Sequence, residues 1–223
     1  MEIINNYKDA KYKDLVPRPR AFCWTCRQPL AACYCSRIQR LNSGIDFVIL
    51  IHPIESRRRI ATGRMAHLVL NDSWLIEGED FSQSEKVLRL IADPRRKCMI
   101  LYPGREAMDL DVPETTCALQ QIVSSNARRL TVFVIDGTWA TARKMMRLSV
   151  NLRALPMVKF QPKEESRFQV RKQPEKHCLS TIEAIHTVID RLSLVADRPH
   201  DHLIELFLAM VERQKTFVPR FQK

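Results

Sequence analysis

Four cysteines near the start of the chain have a spacing that could do chemistry. Cys23, Cys26, Cys33 and Cys35, in FCWTCRQPLAACYCSR, form a C-x2-C pair and a C-x-C pair six residues apart. Two close thiolate pairs joined by a short turn can converge tetrahedrally on one zinc ion, and the Gln28-Pro29 step assists the reversal. With sulfur in all four positions, such a zinc is structural rather than catalytic. The other reading is a set of reduced or redox-active thiols, which the tight second pair leaves open. Cys98, Cys117 and Cys178 stand alone or in apolar surroundings, where buried, inert thiols are expected.

A second constellation lies in VFVIDGTWATARKMMRLS. Val132 to Ile135 is β-branched and aromatic, as in a strand buried on both faces, and it stops at Asp136-Gly137-Thr138-Trp139. Asp136 suits either a general base with a pKa raised by partial burial or an N-cap of the following helix. Trp139 shares a helical stripe with Ala142, Met146 and Ser149, so it suits either a core position or stacking on a base. Glu183 closes the capping box STIE that begins at Ser180, a structural role that does not depend on any substrate. His52 ends an apolar run before a proline and by itself points only weakly to catalysis.

These residues need elements to hold them. Short apolar runs at 45–52, 97–104, 130–137 and 157–160 alternate with amphipathic stretches at 63–71, 84–93, 116–125, 181–195 and 202–215. Alternation of this kind predicts an α/β fold, a parallel sheet with helices on both faces. The charged, proline-bearing segment QPKEESRFQVRKQPEKHCL reads as irregular. Residues 1–42 are expected to form a small zinc-binding module and residues 43–223 the main domain.

Three strands run into unusual sequence: HPIESRRRIATGR, YPG and DGTW. Ligands of open α/β sheets bind beyond the carboxyl ends of the strands, so these endings outline a site. The chain has five glycines, Gly44, Gly63, Gly78, Gly104 and Gly137, and none are spaced for a dinucleotide fingerprint or a P-loop. That disfavours a Rossmann dehydrogenase and a nucleoside triphosphatase. A net charge of +11 and a pI near 9.6 suit a polyanion. Arg57, Arg58, Arg59 and Arg64 in one motif, and Arg143, Lys144 and Arg147 in another, would ring the same edge with cations. No apolar run approaches a membrane span and the first residues lack a signal-peptide layout, so a cytoplasmic protein without membrane attachment is expected.

The ordered set of four cysteines, HPIESRRRIATGR, LYPG, DGTWATARKM and RKQPEKHCLSTIEAI resembles the DTW-domain tRNA-uridine aminocarboxypropyltransferases from Cys23 to the last helices. One departure is Ala61, where the family usually has asparagine. The resemblance implies a SPOUT-like domain with a C-terminal knot beside an S-adenosylmethionine (SAM) site. It implies transfer of the 3-amino-3-carboxypropyl group of SAM to N3 of a tRNA uridine, in the variable loop for bacterial members, with release of methylthioadenosine. The residues carried over are Asp136, Trp139 and Glu183 for catalysis. Leu101, Tyr102, Pro103, Gly104, Gly137, Thr138, Leu179, Ser180 and Thr181 would surround SAM. His52, Glu55, Arg58, Thr62, Arg64, Arg143, Lys144, Arg147 and Arg171 would face the tRNA. Two rival readings remain at this level: a SPOUT-like RNA methyltransferase, and a non-catalytic zinc-containing RNA-binding protein.

Overall fold

The computed structural model describes residues 21–125, 127–168, 178–193 and 197–217. Six strands form one sheet: β1 (Asp46–Ile51), β2 (Ser73–Glu77), β3 (Arg96–Leu101), β4 (Met108–Asp109), β5 (Arg129–Asp136) and β6 (Met157–Lys159). Their order is β2-β1-β5-β3-β6-β4 and every pairing is parallel. The helices are α1 (Pro53–Ser56), α2 (Thr62–Val69), α3 (Glu85–Ala92), α4 (Pro113–Ser124), α5 (Trp139–Leu148), α6 (Val150–Arg153), α7 (Thr181–Leu192) and α8 (Asp201–Phe217).

Strand alternation divides the core into two layers. Phe47 and Ile49 of β1, Met99 of β3, and Leu130, Val132 and Val134 of β5 meet α2, α4, α7 and α8 on one face. Val48 and Leu50, Cys98 and Ile100, and Phe133 meet α3, α5 and α6 on the other. All six residues of β1 are buried, which explains its unbroken apolar run. Helices therefore cover both faces, as the alternating pattern predicts.

Several details differ from the sequence expectation. The strands β2 and β4 lie outside the apolar runs: Ser73–Glu77 is a half-exposed edge strand and Met108–Asp109 has only two residues. Short edges of this kind carry little hydrophobic signal. Helix α7 ends at Leu192, where Ser193 turns to extended backbone; Val195, the expected end, lies outside the described residues. Phe168, in the segment read as irregular, is buried against Phe207 of α8 with ring centroids 5.5 Å apart. Among the three isolated cysteines, Cys98 is buried, Cys178 is half-buried and Cys117 is exposed on α4, so only the first matches the expected inert interior thiol.

The amino edge of the sheet is closed by ions. Asp46, 2% exposed, accepts from Arg129 Nη2 at 2.6 Å and from Arg96, tying β1, β5 and β3 together. The cysteine segment packs into the face formed by α2, α7 and α8, because Cys26, Tyr34 and Leu41 belong to that layer. It is also bonded to the body. Arg27 Nη1 donates to the Ser56 carbonyl at 3.2 Å, Gln28 Nε2 to that of Arg59, and Arg213 of α8 to that of Ala31.

Candidate active site

After β1 the chain enters α2 on one face of the sheet, and after the adjacent β5 it enters α5 on the other. Neighbouring strands whose connections part in this way open a crevice at their carboxyl ends. Asp136 is the last residue of β5 and stands beside Ile51, the last of β1. Its carbonyl accepts from His52 N at 2.9 Å.

The Asp136 side chain is 6% exposed and joins three motifs. Its Oδ2 accepts from Gly63 N at 3.1 Å, at the first turn of α2, and its Oδ1 accepts from Thr181 Oγ1 at 2.7 Å, at the first residue of α7. Gly63 permits that approach: a Cβ there would lie 2.4 Å from Asp136 Oδ2 and 2.9 Å from Ile49 Cγ2. Asp136 does not cap its own helix, because Thr138 accepts from Thr141 N at 3.2 Å and does so instead.

His52 and Lys144 meet through Glu79. His52 Nδ1 accepts from Ile54 N at 3.2 Å, which fixes its proton on Nε2, and Nε2 lies 2.9 Å from Glu79 Oε1. Lys144 Nζ donates to Glu79 Oε2 at 2.5 Å, and this bond holds the Glu79 carboxyl below its usual pKa. Nothing local in the sequence singled out Glu79, one of three acids in Glu77-Gly78-Glu79-Asp80 at the end of an unrecognised edge strand.

His52, Glu55, Thr62 and Arg64 are between 2% and 6% exposed. Arg64 donates to the Ser56 carbonyl, its Nη1 has no partner among the described residues, and burial depresses its pKa. Arg58, Arg143, Lys144 and Arg147 are exposed, with Arg58 Nε 3.4 Å from Glu55 Oε1. Arg171 lies outside the described residues. Ala61 occupies the N-cap position of α2 and makes no side-chain cap there.

Trp139 is 44% exposed at the start of α5, so the core alternative is set aside; its Nε1 donates to Cys178 Sγ at 3.0 Å. The buried stripe of α5 consists of Ala142, Met145 and Met146. Glu183 is saturated by protein donors. Its Oε2 accepts from Ser180 N at 2.8 Å, Ser180 Oγ at 2.6 Å and Ser166 Oγ at 2.8 Å, and its Oε1 from Arg167 N at 2.7 Å. The capping box thus also anchors residues 166–167 to α7.

At the end of β3, Leu101 pairs with Val134 and Val158, which carries Tyr102, Pro103 and Gly104 to the same edge. Burial raises the Tyr102 pKa, opposed by the nearby charge of Arg143. A Cβ on Gly104 would stand 2.9 Å from Met157 Sδ. Leu179 and Glu183 also line a cavity of about 520 Å³, on the outer side of α7 with Arg167, Asp190, Arg191 and Asp201; Asp136 and Trp139 do not line it.

The cysteine cluster fits a metal. The four Sγ atoms lie within 4.8 Å of one another, with Cys23–Cys35 at 3.6 Å and Cys26–Cys33 at 3.7 Å. Zinc–sulfur bonds of about 2.3 Å place the sulfurs of a regular tetrahedron about 3.8 Å apart. Backbone N–H groups of Cys26 and Thr25 draw the Cys23 thiol down to about 6, while burial pushes the Cys26 and Cys35 thiols up, so the sulfur geometry carries the metal fit.

The family model described as "DTW domain" matches residues 20–215. A Drosophila melanogaster protein named tRNA-uridine aminocarboxypropyltransferase 2 is 28% identical over 205 residues, covering 86% of this chain and 76% of its own length. A Mus musculus protein of the same name is 28% identical over 168 residues, and the chain spans only 54% of it. An Arabidopsis thaliana protein named tRNA-uridine aminocarboxypropyltransferase A is 23% identical over 218 residues, covering 89% of the chain and 83% of the relative. No solved structure matches.

Proposed function

Since the chain belongs to the DTW domain family, we propose that it transfers the 3-amino-3-carboxypropyl group of SAM to N3 of a tRNA uridine, with a variable-loop uridine as the first position to map. The observation that carries this reading is the Asp136 junction. One carboxylate gathers the backbone of Gly63 and the hydroxyl of Thr181 at the crevice between β1 and β5. Three motifs distant in sequence thereby meet at one acid.

The segments assigned to SAM fit a ligand of that kind. Leu101 to Gly104, Gly137 with Thr138, and Leu179 to Thr181 border the same edge, and Gly104 keeps room beside Met157. When bound, SAM supplies an electrophilic methylene next to a sulfonium. The protein must do the rest. Uracil N3 carries a proton at neutral pH, and Asp136 receives it as N3 bonds to that carbon and the carbon–sulfur bond breaks. The pocket must also present the methionine chain rather than the methyl group to N3.

In this reading Trp139 stacks on the uracil from the exposed start of α5. Glu183, committed to four protein donors, acts on the site by fixing the α7 N-terminus. Arg58, Arg143 and Arg147 meet phosphates. His52, Glu55, Thr62 and Arg64 set the crevice wall behind them. A SPOUT-like C-terminal knot belongs to the same reading; residues 169–177, between β6 and α7, lie outside the described residues. Residues 1–42, of which 1–20 lie outside the described residues, make the zinc module in this account and 43–223 the SAM-binding domain. No helix among the described residues is long and apolar enough to cross a membrane.

Nucleoside mass spectrometry tests the proposal. Wild-type protein with SAM and unmodified tRNA is expected to yield a uridine bearing the aminocarboxypropyl group, and Asp136→Asn little or none. A methylated uridine instead would make the protein a methyltransferase.

A further inference from the structure

The cysteine turn presents an aromatic pair that the site above does not use. Cys23 and Cys26 turn their sulfurs inward, which leaves the two residues between them at the tip of the turn. Arg27 closes that turn with a positive φ of 57° and donates its N–H to the Cys23 carbonyl at 2.8 Å. Trp24 is 83% exposed there and Phe22 is 44% exposed beside it, with ring centroids 4.4 Å apart. A tryptophan can bury upwards of 150 Å² of surface, so leaving one bare forgoes a large share of the stabilisation available to it.

The surroundings indicate the partner. Arg27 and Gln28, directly after the tip, are bonded to the carbonyls of Ser56 and Arg59, so the aromatic pair adjoins the run Arg57-Arg58-Arg59. Arg57 and Arg59 are exposed and make no ion pair among the described residues. Flat rings bordered by uncompensated guanidinium groups are poorly suited to an apolar protein interface, where those charges would have to be desolvated. They match single-stranded nucleic acid, whose bases stack on aromatics while its phosphates meet cations. We propose that Trp24, supported by Phe22, is a stacking platform for an unpaired base of the tRNA, distinct from the reacting uridine at Asp136. This rests on the tRNA reading above and adds a second foothold to it.

Binding of unmodified tRNA by wild type, Trp24→Ala, Trp24→Phe and Arg58→Ala across a salt series tests this, with zinc content as the folding control. Loss of base–aromatic stacking costs about 1–3 kcal/mol, so Trp24→Ala is expected to weaken binding about 5- to 150-fold. Trp24→Phe should recover most of it. The salt slope should stay at the wild-type value in Trp24→Ala, because stacking releases no counterions, and fall in Arg58→Ala. In turnover, Trp24→Ala should raise KM for tRNA with kcat retained. If wild type modifies tRNA and Trp24→Ala binds it equally well, the platform is overturned while the enzymatic reading stands; a wild type that neither binds nor modifies tRNA overturns both. A Trp24→Ala protein that loses zinc, or a wild-type dimer that this substitution turns into a monomer, would also overturn it, as a structural residue or a self-association surface.

Discussion

Asp136 is where the residue-level account is most exposed to test. If it takes the N3 proton, Asp136→Asn should keep SAM affinity and lose about 10²- to 10⁴-fold in transfer rate, measured under single-turnover conditions. Full activity would reduce it to a bracket between α2 and α7. Gly63→Ala should destabilise the protein by about 1–3 kcal/mol in thermal or urea unfolding, since a methyl at 2.4 Å from Asp136 Oδ2 must displace the carboxylate or the helix. Asp136 was legible in the sequence because an acid ending a fully apolar strand is chemically odd. Burial of Arg64 and His52 was not, because an arginine run reads as a solvated face. Nor was Glu79, whose meaning comes only from the approach of β1 and α5 in space.

Helix ends dominate at the scale of elements. Glu183→Ala leaves the donors of Ser180, Ser166 and Arg167 unmatched and should cost about 1–3 kcal/mol, with SAM binding weakened as α7 loses its anchor. Ala61→Asn should add about 1 kcal/mol by capping α2, read as a higher Tm. At the α8 N-terminus, hydrogen bonds from Arg198 and then His186 hold Asp201 down at about 2. A folded-state pKa below the ordinary value of about 3.9 means stability that is present above that value and lost as pH falls towards 2. Asp201→Asn should therefore flatten the dependence of the unfolding midpoint on pH in that window, and an unchanged profile would assign acid lability elsewhere. The buried strands β1, β3 and β5 could be read from their apolar runs and the long helices from their period. Strands β2 and β4 could not, because short edges lack either signal.

For the whole molecule the sequence disclosed charge and motif order, but not how the cysteine segment docks. Its bonds to α8 and to the Ser56–Arg59 carbonyls link residues far apart in the chain, and no local pattern announces them. Because Cys26 belongs to the main core layer, loss of a zinc from the proposed site should loosen more than the turn itself. Cys26→Ser should lose zinc and folded yield together, by elemental analysis and circular dichroism; a variant with unchanged metal content would remove the zinc assignment. Replacing both Arg143 and Arg147 with alanine should lower the salt slope of tRNA binding by up to about 2, and an unchanged slope would put the tRNA on another face. The central claim is tested most directly by offering purified protein and unmodified tRNA two preparations of SAM, one labelled in the carboxyl carbon and one in the methyl carbon. Label should enter tRNA from the carboxyl carbon alone; label from the methyl carbon alone, or from neither, would contradict aminocarboxypropyl transfer.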